Sequence, residues 1–79
     1  MSWSYRVVKT VTKIPLGETD ISYSIHTVYT DENNDIVNIS EKPAYPIGDD
    51  TESLTWQLQR MMESCKKPVI DYNTGEELN

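Results

Sequence analysis

Ile21, Tyr23, Ile25, Thr27 and Tyr29 alternate with Ser22, Ser24, His26, Val28 and Thr30, and this period of two predicts an antiparallel strand with one face buried. The first set forms the predicted core face. Upstream, Trp3, Tyr5 and Val7 alternate with Ser4, Arg6 and Thr10, so Trp3 to Thr12 reads as a strand with one wet face. Val8 interrupts that pattern, which implies cover on both sides or a bulge near Lys9. Pro15 and Gly17 end the first strand, and Leu16 to Asp20 makes the connection. Asp31 to Asp35 is polar, and Asn33 and Asn34 are the predicted hairpin corner because Asn tolerates the left-handed backbone. Ile36 to Glu41 then returns as a third strand, with Val37 and Ile39 as core candidates.

Pro43 and Pro46 cannot donate to a sheet and hold the chain extended beyond the third strand, while Ala44, Tyr45 and Ile47 can pack as it leaves. The period then changes. Leu54, Leu58, Met61 and Cys65 recur at spacings of four, three and four, with Met62 on the flank, which predicts a helix with that stripe buried. Asp50 is the predicted N-cap, Thr51 the first helical residue, Lys66 and Lys67 the C-terminal end, and Pro68 the stop. At about 100° per residue, Trp56 lies roughly 160° from the stripe, beside Arg60 and Glu63. Such a ring needs a cover. Val69, Ile70, Asp71 and Tyr72 form a short extended segment that can double back along the helix or add to a sheet edge, and the expectation is that Val69, Ile70 and Tyr72 fold back over the ring; the alternative is a partner surface, where Trp is an anchor. Asn73 to Asn79 is polar and reads as a tail, disordered at its end.

The composition adds mainly exclusions. With 13 Asp and Glu against 7 Lys and Arg, the formal charge is −6, which argues against direct binding of nucleic acid through phosphates. The same charge would suit a protein that imitates nucleic acid toward a basic partner. No apolar run approaches the roughly 18–20 residues of a membrane span, and the N-terminus lacks signal-peptide regions. The expectation is a cytoplasmic protein without a membrane partner. A single cysteine, Cys65, excludes an internal disulfide and a multi-cysteine zinc site, and its place in the stripe predicts a buried thiol.

Candidate chemistry is sparse. His26 is the only histidine and reads as a surface strand residue rather than a catalytic base. Asp31, Asn33 and Asp35 match the opening of a calcium loop, but Ile36 replaces the required Gly and Lys42 the closing Glu, so a solvated hairpin tip explains them. Asp49, Asp50 and Glu52 suit a helix N-terminus without a metal. No catalytic, cofactor-binding or metal-binding residue is assigned. Five Tyr and two Trp in a chain without Phe are the rings that interfaces favour. Trp56, Arg60, Tyr45 and Tyr72 are accordingly the candidate partner-binding residues.

Tyr5-Arg6-Val7-Val8, Ile25-His26 followed by Val28-Tyr29 and Asp31-Glu32, the stretch from Pro43 to Pro46 with Gly48, and Lys67-Pro68-Val69 together resemble a family of small bacterial and bacteriophage proteins with no established activity. The resemblance runs to about Tyr72 and is consistent with a cyanobacterial or cyanophage source. It implies no reaction and no ligand. Asn34 and Ile39 stand where relatives often carry a glycine and an aromatic.

The sequence thus predicts an α+β domain over residues 1–72, a three-stranded antiparallel sheet packed on one C-terminal helix and followed by a short extended segment, with 73–79 as the tail. The expected function is a non-enzymatic protein-binding module, a regulator or adaptor. A phage-type inhibitor or nucleic-acid mimic, a self-assembling subunit such as a homodimer, and more distantly an enzyme are the alternatives.

Overall fold

The structure, a computed structural model, describes residues 1–78. Strands β1 (Ser2–Lys13) and β2 (Thr19–Thr30) form a long antiparallel hairpin, with Trp3 opposite Tyr29 and Lys13 opposite Thr19. Gly17, with φ of 87°, closes its tip in the left-handed region that glycine reaches without a steric cost. Strand β3 (Ile36–Ile39) pairs antiparallel with β2, as expected. Asn34 takes φ of 64° at the corner, and the Asp31 carboxylate accepts the backbone N–H groups of Asn33 and Asp35. That side chain replaces the backbone partners a sharp turn removes.

Helix α1 (Thr51–Ser64) begins at the expected residue, with Asp50 as its N-cap. It ends earlier than Lys66 and Lys67 suggested. The chain then does what its first half concealed: strand β4 (Val69–Asp71) pairs in parallel with β1, Val8 beside Ile70, and strand β5 (Glu77–Leu78) pairs antiparallel with β4. The sheet is therefore five-stranded and mixed, in the order β3-β2-β1-β4-β5, which corrects the expected three-stranded antiparallel sheet. The α+β class stands. Because β3 and β4 run the same way, the link between them must cross the sheet, and α1 supplies that crossover. The segment after Tyr72 provides β5 within its described part.

Recruiting β4 also changes which face is best buried. Val8, Val28 and Ile70 are fully buried in one cluster, with Ile36 and Ile39 packed on it. The register puts all of them on the face shared with Arg6 and His26, the side expected to be wet. Met61 is buried too but lies outside that cluster, and α1 lines a hollow with Trp3 and Tyr5; the helix covers the other face. The sheet is thus clothed on both sides near its centre, as Val8 implied. Of the predicted core face, Ile21 and Tyr23 remain exposed because neither α1 nor β3 reaches them. Val37 is exposed as well, whereas Ile39 packs.

The helix stripe is also turned. Leu54, Gln57, Met61 and Ser64 face inward, a rotation of roughly 50° from the predicted stripe. Leu58 is 46% exposed and Cys65 is exposed. Ser64 takes the place assigned to Cys65, its hydroxyl donating to the Met61 carbonyl at 2.5 Å, so a small polar side chain can be buried without an orphaned group.

Candidate functional site

The outer surface of α1 and the segment before it carry most of the exposed apolar side chains outside the hairpin. Tyr45, Ile47, Trp56 and Met62 all lie open to solvent, Trp56 at 51%. Their placement follows from how the Pro43–Gly48 stretch is fixed. Ala44 N–H donates to the Ile25 carbonyl, extending the edge of β2, and Ile47 N–H donates to Gln57 Oε1 at 3.1 Å. Gly48 seats against the first turn: a Cβ there would lie 2.5 Å from the Leu54 nitrogen and 2.9 Å from Ser53. Only glycine fits such an approach of backbone to backbone.

The result is an open groove of about 640 Å³ between this stretch and the helix, bounded by Ile47, Gly48, Asp49, Asp50, Glu52, Ser53, Trp56 and Gln57. Its volume falls in the range of ligand sites, roughly 300–1,000 Å³. One wall is apolar and one is acidic. The Ser53 backbone N–H, assisted by the Ser53 hydroxyl and Glu52 N–H, holds the Asp50 carboxyl below its ordinary range, so this rim stays negative at neutral pH. Trp56 also borders a second hollow with Gln59, Arg60, Met62 and Glu63, and the Arg60 guanidinium lies 4.8 Å from the ring centroid. That is cation–π range.

The four candidate residues are thus divided. Trp56 and Arg60 are brought together, and Tyr45 sits two residues before Ile47 on the segment that walls the groove. Tyr72 is elsewhere, its ring 5.9 Å from His26 on the Val8 side of the sheet. The expected cover of Trp56 does not form. Val69 is paired with Leu78, Ile70 is in the core, and Tyr72 N–H donates to the Lys9 carbonyl; the sheet satisfies that segment's backbone more completely than a helix surface could. Ile47, Gly48 and Gln57 are the site residues that helical and strand periodicities did not single out. The signal was the break in both periodicities at Pro46 to Gly48.

His26 is buried rather than on the surface. Its Nδ1 lies 2.9 Å from the Ser40 carbonyl, which must accept, so Nδ1 carries a proton, and Nε2 lies 2.9 Å from the Ser24 hydroxyl, from which a neutral ring accepts. A hydroxyl, an imidazole and an orienting acceptor in line are the parts of a nucleophile and base. Neither residue lines the groove beside Trp56 or the four next hollows, and the Tyr72 ring packs tilted beside the imidazole. Its evident effect is to tie β2 to the residues after β3. Among the described residues there is no group of three His, Cys, Asp or Glu side chains placed to hold a metal ion, and no helix long and apolar enough to cross a membrane.

Comparison with protein-family models, with curated proteins and with solved structures finds no match to this chain. The functional reading therefore rests on the geometry.

Proposed function

We propose that this protein is a non-enzymatic binding module that takes a segment of another protein into the groove beside Trp56. The observation that carries the reading is the half-exposed Trp56 ring beside Ile47, on a groove whose other wall is Asp49, Asp50 and Glu52. An exposed tryptophan in a preformed hollow is the usual centre of binding energy at an interface. The carboxylates define the rest of the ligand: an apolar anchor flanked by Lys or Arg. A basic nucleic-acid-binding protein would be one such partner. A phosphate mimic would not need the apolar wall, so capture of a basic, apolar peptide segment is the better fit.

Selection from a displayed peptide library on the immobilised protein tests the reading. Selected peptides should share an aromatic or aliphatic residue next to basic ones. Titration of one of them should show that Trp56→Ala costs about 2 kcal/mol or more in binding, while the fold loses only about 1 kcal/mol, the scale of the Arg60 contact removed with the ring. Selection of no peptide, or equal binding by Trp56→Ala, rejects the groove. A second reading, association between copies of the chain, is favoured by a different observation, the uncovered edge of β2 around Ile21 and Tyr23.

A further inference from the structure

The β1–β2 hairpin outruns the rest of the molecule. On one side β4 pairs only with Val8 and Lys9, followed by a single bond from Tyr72 to the Lys9 carbonyl. On the other side β3 and the residues after it cover β2 from Thr30 back to Ile25, through Ser40 at Thr27 and Ala44 at Ile25. Beyond those points both edges of the arm are open. Two-stranded ribbons are marginal in water and open edges are templates for further pairing.

The direction of the backbone on the β2 edge can be read from its bonds. The Thr27 and Ile25 carbonyls accept from the β3 side, so odd-numbered residues of β2 aim their N–H and C=O outward and even-numbered ones bond to β1. Thr19, Ile21 and Tyr23 therefore present outward backbone groups that no strand meets. Ile21 and Tyr23 are also 51% and 61% exposed. The same residues combine unpaired backbone and uncovered apolar side chains.

We propose that a second copy of this chain pairs with this edge, β2 against β2, antiparallel about a two-fold axis at Ile21. The register follows from what is already occupied. Ala44 blocks the edge at Ile25, leaving five residues, Thr19 to Tyr23, and that stretch is centred on Ile21. In this register Ile21 meets Ile21 of the second copy, Thr19 meets Tyr23, and Asp20 meets Ser22. Each outward residue exchanges both of its backbone bonds with its opposite. The side-chain pairs are β-branched with β-branched and β-branched with aromatic, which favour strand pairing, and no like charges face each other. The other edge of the arm is shorter and guarded: Lys9 is already met by β4, so only Val11 and Lys13 remain outward on β1, and a lysine there is the usual device against edge pairing. The interface is isologous and small, so the dimer belongs to the weak, concentration-dependent class. This inference is independent of the Trp56 groove.

Sedimentation of the full chain from roughly 10 µM to 1 mM, with amide exchange followed by NMR in the same samples, tests it. The expected result is a monomer–dimer equilibrium in which the Ile21 and Tyr23 amides gain protection as the dimer forms. Tyr23→Pro removes one outward N–H without touching a bond to β1, a place where a strand tolerates proline. It should weaken association by at least about tenfold while far-ultraviolet circular dichroism is unchanged. Val11→Pro, the matching change on the β1 edge, should leave association within about twofold. A single monomer at every concentration overturns the proposal. So does a dimer whose Ile21 and Tyr23 amides exchange as fast as in the monomer, or one that both prolines disrupt equally.

Discussion

Met61 and Leu58 are one helical step apart, yet only Met61 is buried, and the difference shows what residue-by-residue reading misses. Apolar periodicity counts Leu58 and Cys65 as inward because they are hydrophobic. The helix instead turns Gln57 and Ser64 inward, since each finds a partner there: the Ile47 N–H for Gln57 and the Met61 carbonyl for Ser64. Met61→Ala should therefore cost about 2–5 kcal/mol, and Leu58→Ala about 1 kcal/mol or less. Chemical denaturation of the two variants checks the rotated face; the reverse order would restore the stripe read from the sequence. Arg6 makes the same point about polar residues. Its side chain is only 11% exposed, donates to the Pro68 carbonyl at 2.6 Å and lies 3.5 Å from the Glu77 carboxylate. It ties β1 to the chain on both sides of β4. Arg6→Met should lose about 1.5–3 kcal/mol, the range of a charge-assisted hydrogen bond. Glu77→Gln should lose no more than about 1 kcal/mol, because that carboxylate is half in water. Equal losses in denaturation would instead make the ion pair, not the carbonyl, the main tie.

Elements set by local chemistry were legible: β2, the Asn34 corner, β3 and the start of α1 all follow from alternation, turn residues or capping within a few positions. The extended segment that becomes β4 was legible, with a sheet edge as one of its two destinations, but its place beside β1 and the strand β5 were not, because β4 pairs across 62 residues of sequence from Val8 to Ile70, and no local period encodes a parallel partner. The groove inherits that split, with Trp56 conspicuous by its place on the helix and Gly48 meaningful only once its neighbours are known. The N-cap gives the element-scale test. Asp50 accepts the Ser53 N–H at 2.7 Å, and this bond lowers its pKa from the ordinary 3.8. A depressed carboxylate stabilises the fold above its unfolded pKa and loses that contribution as pH falls through the folded value. Protection of the Ser53 amide should thus be constant above pH 3.8 and fall below it. Asp50→Asn should keep the cap but lose this pH dependence, and Asp50→Ala should lose both. For β5, removal of every residue after Tyr72 breaks the bonds from Asp71 N–H to the Glu76 carbonyl and from Gly75 N–H to the Asp71 carbonyl. At roughly 0.5–1.5 kcal/mol net for each bond, and up to about 1 kcal/mol for the Arg6–Glu77 pair lost with them, the truncated chain should lose about 1–4 kcal/mol. A loss under about 0.5 kcal/mol would place those residues outside the folded unit.

At the scale of the whole molecule, the radius of gyration of 14.0 Å and extents of 45 × 31 × 21 Å describe an elongated body, since a compact domain of this length would have a radius near 11.6 Å. The excess length is the hairpin arm, which no single-strand pattern could reveal because the alternation of β2 continues past the point where its cover stops. The arm and the groove beside Trp56 are separate surfaces, and the charge of −6 acts on them with opposite sign. Two copies repel each other at long range, while a basic ligand is drawn to Asp49, Asp50 and Glu52. At 0.15 M salt the screening length is about 8 Å, and at 1 M about 3 Å. Raising salt over that range should strengthen self-association through the β2 edge, because it weakens the repulsion and leaves the backbone and apolar contacts intact. The same change should weaken capture of a basic peptide. Sedimentation and peptide titration in parallel salt series check the pair of trends. Self-association that fell with salt would mean that ion pairs, not strand pairing at Ile21, hold the copies together. Peptide binding indifferent to salt would remove the acidic wall from the groove's function and leave Trp56 and Ile47 as its whole basis.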